Sequence, residues 1–170
     1  MDQLKTTSKR LQGLVLLFIV LTPCAVVLSA VMGEWEQVVG LPAGISLDET
    51  RIHGVAMIAV FGVGLIKPIA FMVAFWFLYR LLGVYRRGII FTAANVGAIR
   101  KIGWALMAID VASMFRTTLA GPVLTFFDIT QGYISVGLEA GYLTVGMFVV
   151  LVARVMDLGR ELKEQDDLVI

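Results

Sequence analysis

The sequence predicts an all-α integral membrane protein, a four-helix bundle with both termini cytoplasmic. Three observations carry this: 59% of the 170 residues are hydrophobic, the mean hydropathy is +0.89, and the apolar residues fall into four long runs. A soluble domain has an apolar share of about 45 to 50%. A hydrocarbon core about 30 Å thick needs roughly 20 apolar residues per helix, so the length holds four spans and short loops. One domain is expected over 1–170, with spans at 11–32, 55–78, 102–126 and 134–156 and a short cytoplasmic tail at 157–170.

The first run, Leu11 to Met32, is uncharged and too long for the apolar part of a signal peptide, about 7 to 15 residues. Pro23 lies near its middle and removes one backbone hydrogen bond. The second run, Val55 to Leu78, is broken only by Lys67 and Pro68, and a kink or a broken helix is expected there. The third, Ile102 to Phe126, contains Asp110 and Arg116. Thr92 is a good N-cap, so this helix should begin near Ala93, before the membrane proper. The fourth, Ile134 to Met156, contains Glu139 and Arg154, with Gly137 and Gly141 as a small-xxx-small pair.

Orientation follows from the basic residues, which gather on the cytoplasmic side of spans. Eleven of the fourteen lie before helix 1 (Lys5, Lys9, Arg10), between helices 2 and 3 (Arg80, Arg86, Arg87, Arg100, Lys101) or at and after the end of helix 4 (Arg154, Arg160, Lys163). The first outer loop holds Glu34, Glu36, Asp48 and Glu49 with Trp35, and reads as an ordered interfacial cap with a short amphipathic piece.

Charges within spans face the bundle interior and seek partners, because each costs on the order of 2.5 to 3.5 kcal/mol near the bilayer centre. Counting the helical rise puts Lys67 and Asp110 at one height, about 12 Å above the inner edge, and Arg116 with Glu139 near the outer one. Two layers are expected, Lys67 with Asp110 and Arg116 with Glu139, forming with Pro68 an intramembrane polar seam. Val60, Gly64, Lys67, Phe71 and Ala74 share one helical stripe, and Asp110, Ser113 and Thr117 another.

One Cys (Cys24) and one His (His53) leave no disulfide, dithiol, haem or His/Cys metal chemistry, so no enzyme activity and no cofactor is expected. Residues for cytoplasmic partner or lipid contact are Arg86, Arg87, Asn95, Arg100 and Lys101 in the inner loop and Arg160, Glu161, Asp166, Asp167 and Leu168 in the tail. The last helix should run on as a charged helix, ending in an acidic pair and three apolar residues that dock on the inner loop or on a partner.

In Leu78-Tyr79-Arg80-Leu81-Leu82, Tyr85-Arg86-Arg87-Gly88, Ile90-Phe91-Thr92, Asn95-Val96 and Ile99-Arg100-Lys101-Ile102-Gly103-Trp104, and in the tail from Gly159-Arg160-Glu161-Leu162 to Gln165-Asp166-Asp167-Leu168-Val169-Ile170, the chain resembles the YoaS-like family of bacterial four-span membrane proteins of unknown function. A departure is Asp167-Leu168-Val169-Ile170, where that family commonly has Thr before the last apolar residue. Because such proteins are often encoded beside a small helix-turn-helix repressor of the Xre type, the resemblance implies a membrane protein that holds or releases a DNA-binding partner.

The expected function is therefore a non-enzymatic inner-membrane regulator or sensor engaging a cytoplasmic helix-turn-helix transcription factor, without binding nucleic acid itself. The alternatives are a small transporter or ion or proton pathway along the seam, and an accessory subunit of a larger membrane complex or a homo-oligomer.

Overall fold

The computed structural model describes residues 2–42, 44–85, 93–137 and 139–166. Among them the chain is all-helical: α1 Asp2–Val31, α2 Trp35–Val39, a 3-10 turn Glu49–Arg51, α3 Gly54–Tyr85, α4 Ala93–Phe126 and α5 Gly141–Asp166. Three stretches, Thr6–Val31, Gly54–Tyr85 and Gly141–Leu162, are long and apolar enough to cross a membrane. The 34-residue α4 has the length but carries Arg100, Lys101, Asp110 and Arg116.

The long helices are antiparallel neighbours in chain order, α1 on α3, α3 on α4 and α4 on α5. This is a row rather than a closed bundle, since α1 and α5 have no substantial interface among the described residues. The polar helix α4 is inside the row. The end helices keep apolar side chains such as Leu17, Leu28, Phe148 and Leu151 about half exposed or more, and a helix apolar all round belongs in lipid.

Helix direction is set by a few contacts. Ser8 donates its hydroxyl to the Leu82 carbonyl at 2.7 Å, so the start of α1 meets the end of α3. Gly103 of α4 crosses Gly146 of α5 so closely that a Cβ on Gly103 would stand 2.9 Å from the Gly146 carbonyl oxygen. Small residues at a crossing let helix backbones approach. The start of α1, the end of α3, the start of α4 and the end of α5 therefore share one end of the row.

The opposite end carries a cap. Trp35 and Val39 of α2, Ile52, Val60 of α3, Ala120 and Leu124 of α4 and Ile129 form one apolar cluster, with α2 seated on α3 where Gly64 admits Val38. This is the short amphipathic piece expected of the loop. The Asp48 amide donates to the Ile129 carbonyl at 2.9 Å, and Arg51 pairs with Asp48 and Asp128, tying the two loops of this end together.

Four expectations about the helices change. The first helix begins at Asp2, so the polar leader is helical. Helix α3 runs on through Pro68 to Tyr85, so the broken helix expected there is absent. The last helix begins at Gly141 instead of Ile134. Gly137 thus lies outside any helix and a Cβ added at Gly141 would meet no other element within 4 Å, so the small-residue crossing belongs to Gly103 and Gly146. The start at Ala93 is as expected.

Candidate functional site: a polar centre closed by an extended segment

After Phe126 the chain turns through Asp128 in the left-handed conformation, φ 57°, and Gly132, φ 50°. It then turns back along α4, and the described residues 133–137, 139 and 140 are not helical. Its course is marked by three contacts: the Tyr133 carbonyl lies where a Cβ on Gly121 would be, Gly137 faces Thr117, and the Leu143 amide donates to Asp110 Oδ2 at 2.7 Å. Burial alternates as in a strand: Tyr133, Ser135 and Gly137 are half-buried, while Ile134 and Val136 point outward and are exposed. Among the described residues, Ile134 to Gly137 make no backbone–backbone hydrogen bond.

This segment decides the pairing of the charges expected within the spans. Lys67 Nζ donates to Glu139 Oε2 at 2.6 Å, with the Lys67 side chain 19% and the Glu139 side chain 51% exposed. Ser113 and, at longer range, Arg116 also act on the Glu139 carboxylate. The expected pairs Lys67 with Asp110 and Arg116 with Glu139 are therefore not formed as ion pairs, because the extended chain carries Glu139 deeper than a helix would and delivers it to Lys67.

Asp110 does different work. It is 1% exposed and its Oδ2 accepts from the Leu143 amide in the first turn of α5. A helix start leaves backbone N–H groups without intrahelical partners and carries partial positive charge, so a carboxylate from a neighbouring helix serves as its cap. Ala140, the residue preceding α5, has no capping side chain of its own. Asp110 Oδ1 has no hydrogen-bond partner among the described residues. Ser113, on the same face one turn on, is equally buried, and Thr117 Oγ1 donates to the Met114 carbonyl at 3.0 Å.

Arg116 turns toward the cap. Its guanidinium packs against Gly40, which ends α2 in the left-handed conformation at φ 70° and whose missing side chain leaves the space that the guanidinium fills. A cation beside a helix C-terminus meets the partial negative charge there. Arg116 Nε is buried without a hydrogen-bond partner among the described residues.

Pro68 follows Lys67 within the continuous α3 and opens no break in it. The stripe Val60, Gly64, Lys67 and Ala74 does face inward as the spacing implies. Of the residues expected to contact a partner or lipid, Asn95 is corrected: it is 0% exposed, part of the interior between helices. Arg100, Lys101 and Glu161 are exposed, and Arg160 is half-buried with Nη2 donating to Asp157 Oδ1 at 3.3 Å. Asp166 is the last residue of α5. Arg86, Arg87, Asp167 and Leu168 lie outside the described residues.

Two features escaped sequence reading: the Asp110 cap of α5 and the seat of Arg116 on Gly40. Sequence signals for the first were available, since Gly132, Gly137 and Gly141 punctuate a stretch in which Ile134 and Val136 alternate with polar or small residues. Nothing local marks Gly40 as facing Arg116.

The arrangement holds the Glu139 carboxylate against Lys67 Nζ, with Ser113 beside it, and sets Asp110 at the start of α5. No curated protein and no solved structure matches this chain. Residues 55–170, which include α4, α5, all of α3 but its first residue and every charge of the polar centre, match a family described as "Protein of unknown function (DUF2975)", and the chain belongs to that family.

Proposed function

We propose that this chain is a non-enzymatic four-span protein of the bacterial cytoplasmic membrane, with both termini in the cytoplasm, acting as a sensor-regulator that engages a cytoplasmic helix-turn-helix transcription factor. Four crossings are supported by α4 lying antiparallel between two apolar helices, with Asp110 buried and Arg116 half-buried among them. The orientation is supported by Lys9, Arg10, Arg80, Arg100, Lys101, Arg154 and Arg160, which fall toward the end of the row where α1 begins and α5 ends.

One observation carries the sensor reading. Helix α5 is continuous over 26 residues, from Gly141 beside the polar centre to Asp166 in the charged tail. At 1.5 Å per residue it is about 39 Å long, a rigid link between an intramembrane site and the face where a soluble partner would dock. A change at Lys67 and Glu139 displaces the start of α5 and with it the tail.

The test is co-purification from native membranes in mild detergent. A small DNA-binding protein should accompany the full chain and be lost when residues 161–170 are deleted. Isolation of the intact protein free of any such partner overturns the reading. For orientation, Ser46→Cys in a Cys24→Ser background should react with an impermeant thiol reagent in intact cells, and Gly159→Cys only after permeabilisation.

A second reading, an ion or proton pathway, is favoured by the non-helical backbone of Ile134 to Gly137. Such backbone is tolerated at membrane depth only where it is buried in protein or lines a water-filled cavity. Flux through proteoliposomes containing wild type, Lys67→Met and Asp110→Asn separates the readings, since equal flux in all three eliminates the pathway.

A further inference from the structure

We propose that Lys9, Arg10, Arg80, Arg100 and Lys101 form a belt that binds the headgroups of anionic phospholipids at the end of the row where α1 begins. This goes beyond the sensor reading and does not depend on it.

The five residues sit at one height on three neighbouring helices. Ser8 of α1 bonds Leu82 of α3, so Arg10 and Arg80, each two residues further into the row, are level with one another. Ala74 of α3 and Ala105 of α4 belong to one packed cluster. Counted from there at 1.5 Å per residue, Arg80 lies about 9 Å and Lys101 and Arg100 about 6 to 8 Å toward the same end.

All five side chains are exposed, and among the described residues none of them forms an ion pair. At the opposite end the reverse holds, since Arg51 is held between Asp48 and Asp128. Orientation needs only a surplus of basic residues on one side. A shared height without counter-ions in the chain fits a layer of anions outside it. Packed helices lie about 8 to 10 Å apart, within a Debye length of about 10 Å, so these cations repel one another across the α1–α3 and α3–α4 interfaces until anions sit beside them.

The anions are lipid because the belt marks the place where each helix turns outwardly apolar. On its hydrocarbon side Leu11 and Leu14 of α1, Trp76 of α3 and Trp104 of α4 are exposed. The Trp76 and Tyr79 rings stack with centroids 6.0 Å apart, and indole and phenol rings gather at headgroup level. A phospholipid phosphate at the belt meets the cations while its acyl chains lie on these side chains. A soluble anion would gain only the first contact.

The experiment uses the full-length protein in phosphatidylcholine vesicles with a rising share of phosphatidylglycerol, one or the other lipid carrying bromine near the headgroup, read by tryptophan quenching. Trp76 and Trp104 border the belt, and the third tryptophan, Trp35, is buried in the cap. Brominated phosphatidylglycerol should quench beyond its mole fraction, brominated phosphatidylcholine should not, and high salt should weaken the preference. Arg80→Gln and Lys101→Gln should each lower the preference about fivefold, the contribution of one basic residue at an anionic surface, and Arg51→Gln should leave it unchanged. In uncharged detergent Arg80→Gln should melt no lower than wild type, and it should gain less than wild type when phosphatidylglycerol is added. The proposal is overturned if both lipids quench in proportion to mole fraction, or if Arg80→Gln and Lys101→Gln keep the wild-type preference. It is equally overturned if soluble glycerol phosphate at matched ionic strength abolishes the preference, which would assign the cations to a free phosphate. Failure to find a DNA-binding partner would leave these results standing, so the two readings fail separately.

Discussion

Lys67 of α3 and Glu139 of the extended segment stand 2.6 Å apart although 72 residues separate them, and this pair joins the re-entrant chain to the helix row. Removing one partner leaves the other as an unpaired charge in a poorly solvating place, whereas removing both does not. Lys67→Met and Glu139→Gln should each lower the melting temperature in detergent more than the double variant does. A double variant at least as unstable as the sum of the singles would show that the pair contributes nothing as a pair.

Asp110 gives a second expectation. Asp110→Ala removes the acceptor for the Leu143 amide and should destabilise the protein by about 1 to 3 kcal/mol, the penalty for a buried donor left unsatisfied. Asp110→Asn keeps an oxygen at that place and should be milder. Amide hydrogen exchange at Leu143 reports the cap directly, with faster exchange in Asp110→Ala than in Asp110→Asn.

The α4–α5 crossing is a third. A Cβ on Gly146 would stand 2.6 Å from both the Gly103 carbonyl oxygen and Met107 Cγ, so Gly146→Val forces the helices apart and should cost about 1 to 3 kcal/mol. Gly97→Ala, on the same helix as Gly103 with nothing within 4 Å of the added methyl, serves as the control. Thermal unfolding followed by circular dichroism distinguishes them.

Acid should loosen the cap end first. The Asp48 carboxyl titrates below its ordinary value because the Thr50 hydroxyl, then the Thr50 amide and Arg51, bond its charged form. A group with a lowered folded value binds fewer protons folded than unfolded, so its contribution is present above the ordinary carboxylate range and is lost as pH falls through the lowered value. Exchange of the Asp48 and Arg51 amides should accelerate over that acidic window in wild type, while Asp48→Asn should show no such step.

How much of this was legible before the structure depended on whether the signal was local. Apolar runs gave the long helices, since a 20-residue segment with few charges has few alternatives in lipid. The inward stripes of Val60, Gly64, Lys67 and Ala74 and of Asp110 and Ser113 were equally readable, because helical periodicity fixes which residues share a face. The charge pairing was not. Height counted at 1.5 Å per residue assumes that Glu139 rides on a helix, but an extended chain advances about 3.3 Å per residue. Over six residues that difference moves Glu139 by roughly 10 Å, from the level expected of Arg116 to that of Lys67. The run from Ile134 onward reads as helix because it is apolar, and its two-residue alternation is too short to compete with the hydropathy of α5. The fate of Asp110 went unread for the same reason, since Gly132, Gly137 and Gly141 mark a late helix start only faintly against the apolar run that begins at Ile134.

The order of the row bears on how the protein is made. Among the described residues each long helix packs chiefly on its immediate predecessor or successor, and the last shares no substantial interface with the first. Sequential contacts of this kind close small loops and settle early. Helices leaving the ribosome can therefore be added one at a time, with only the return stretch before α5 requiring that α3 and α4 already be in place. Biogenesis should stall there, and a chain arrested before Gly141 should hold its first three long helices associated while the slot beside Lys67 stands vacant.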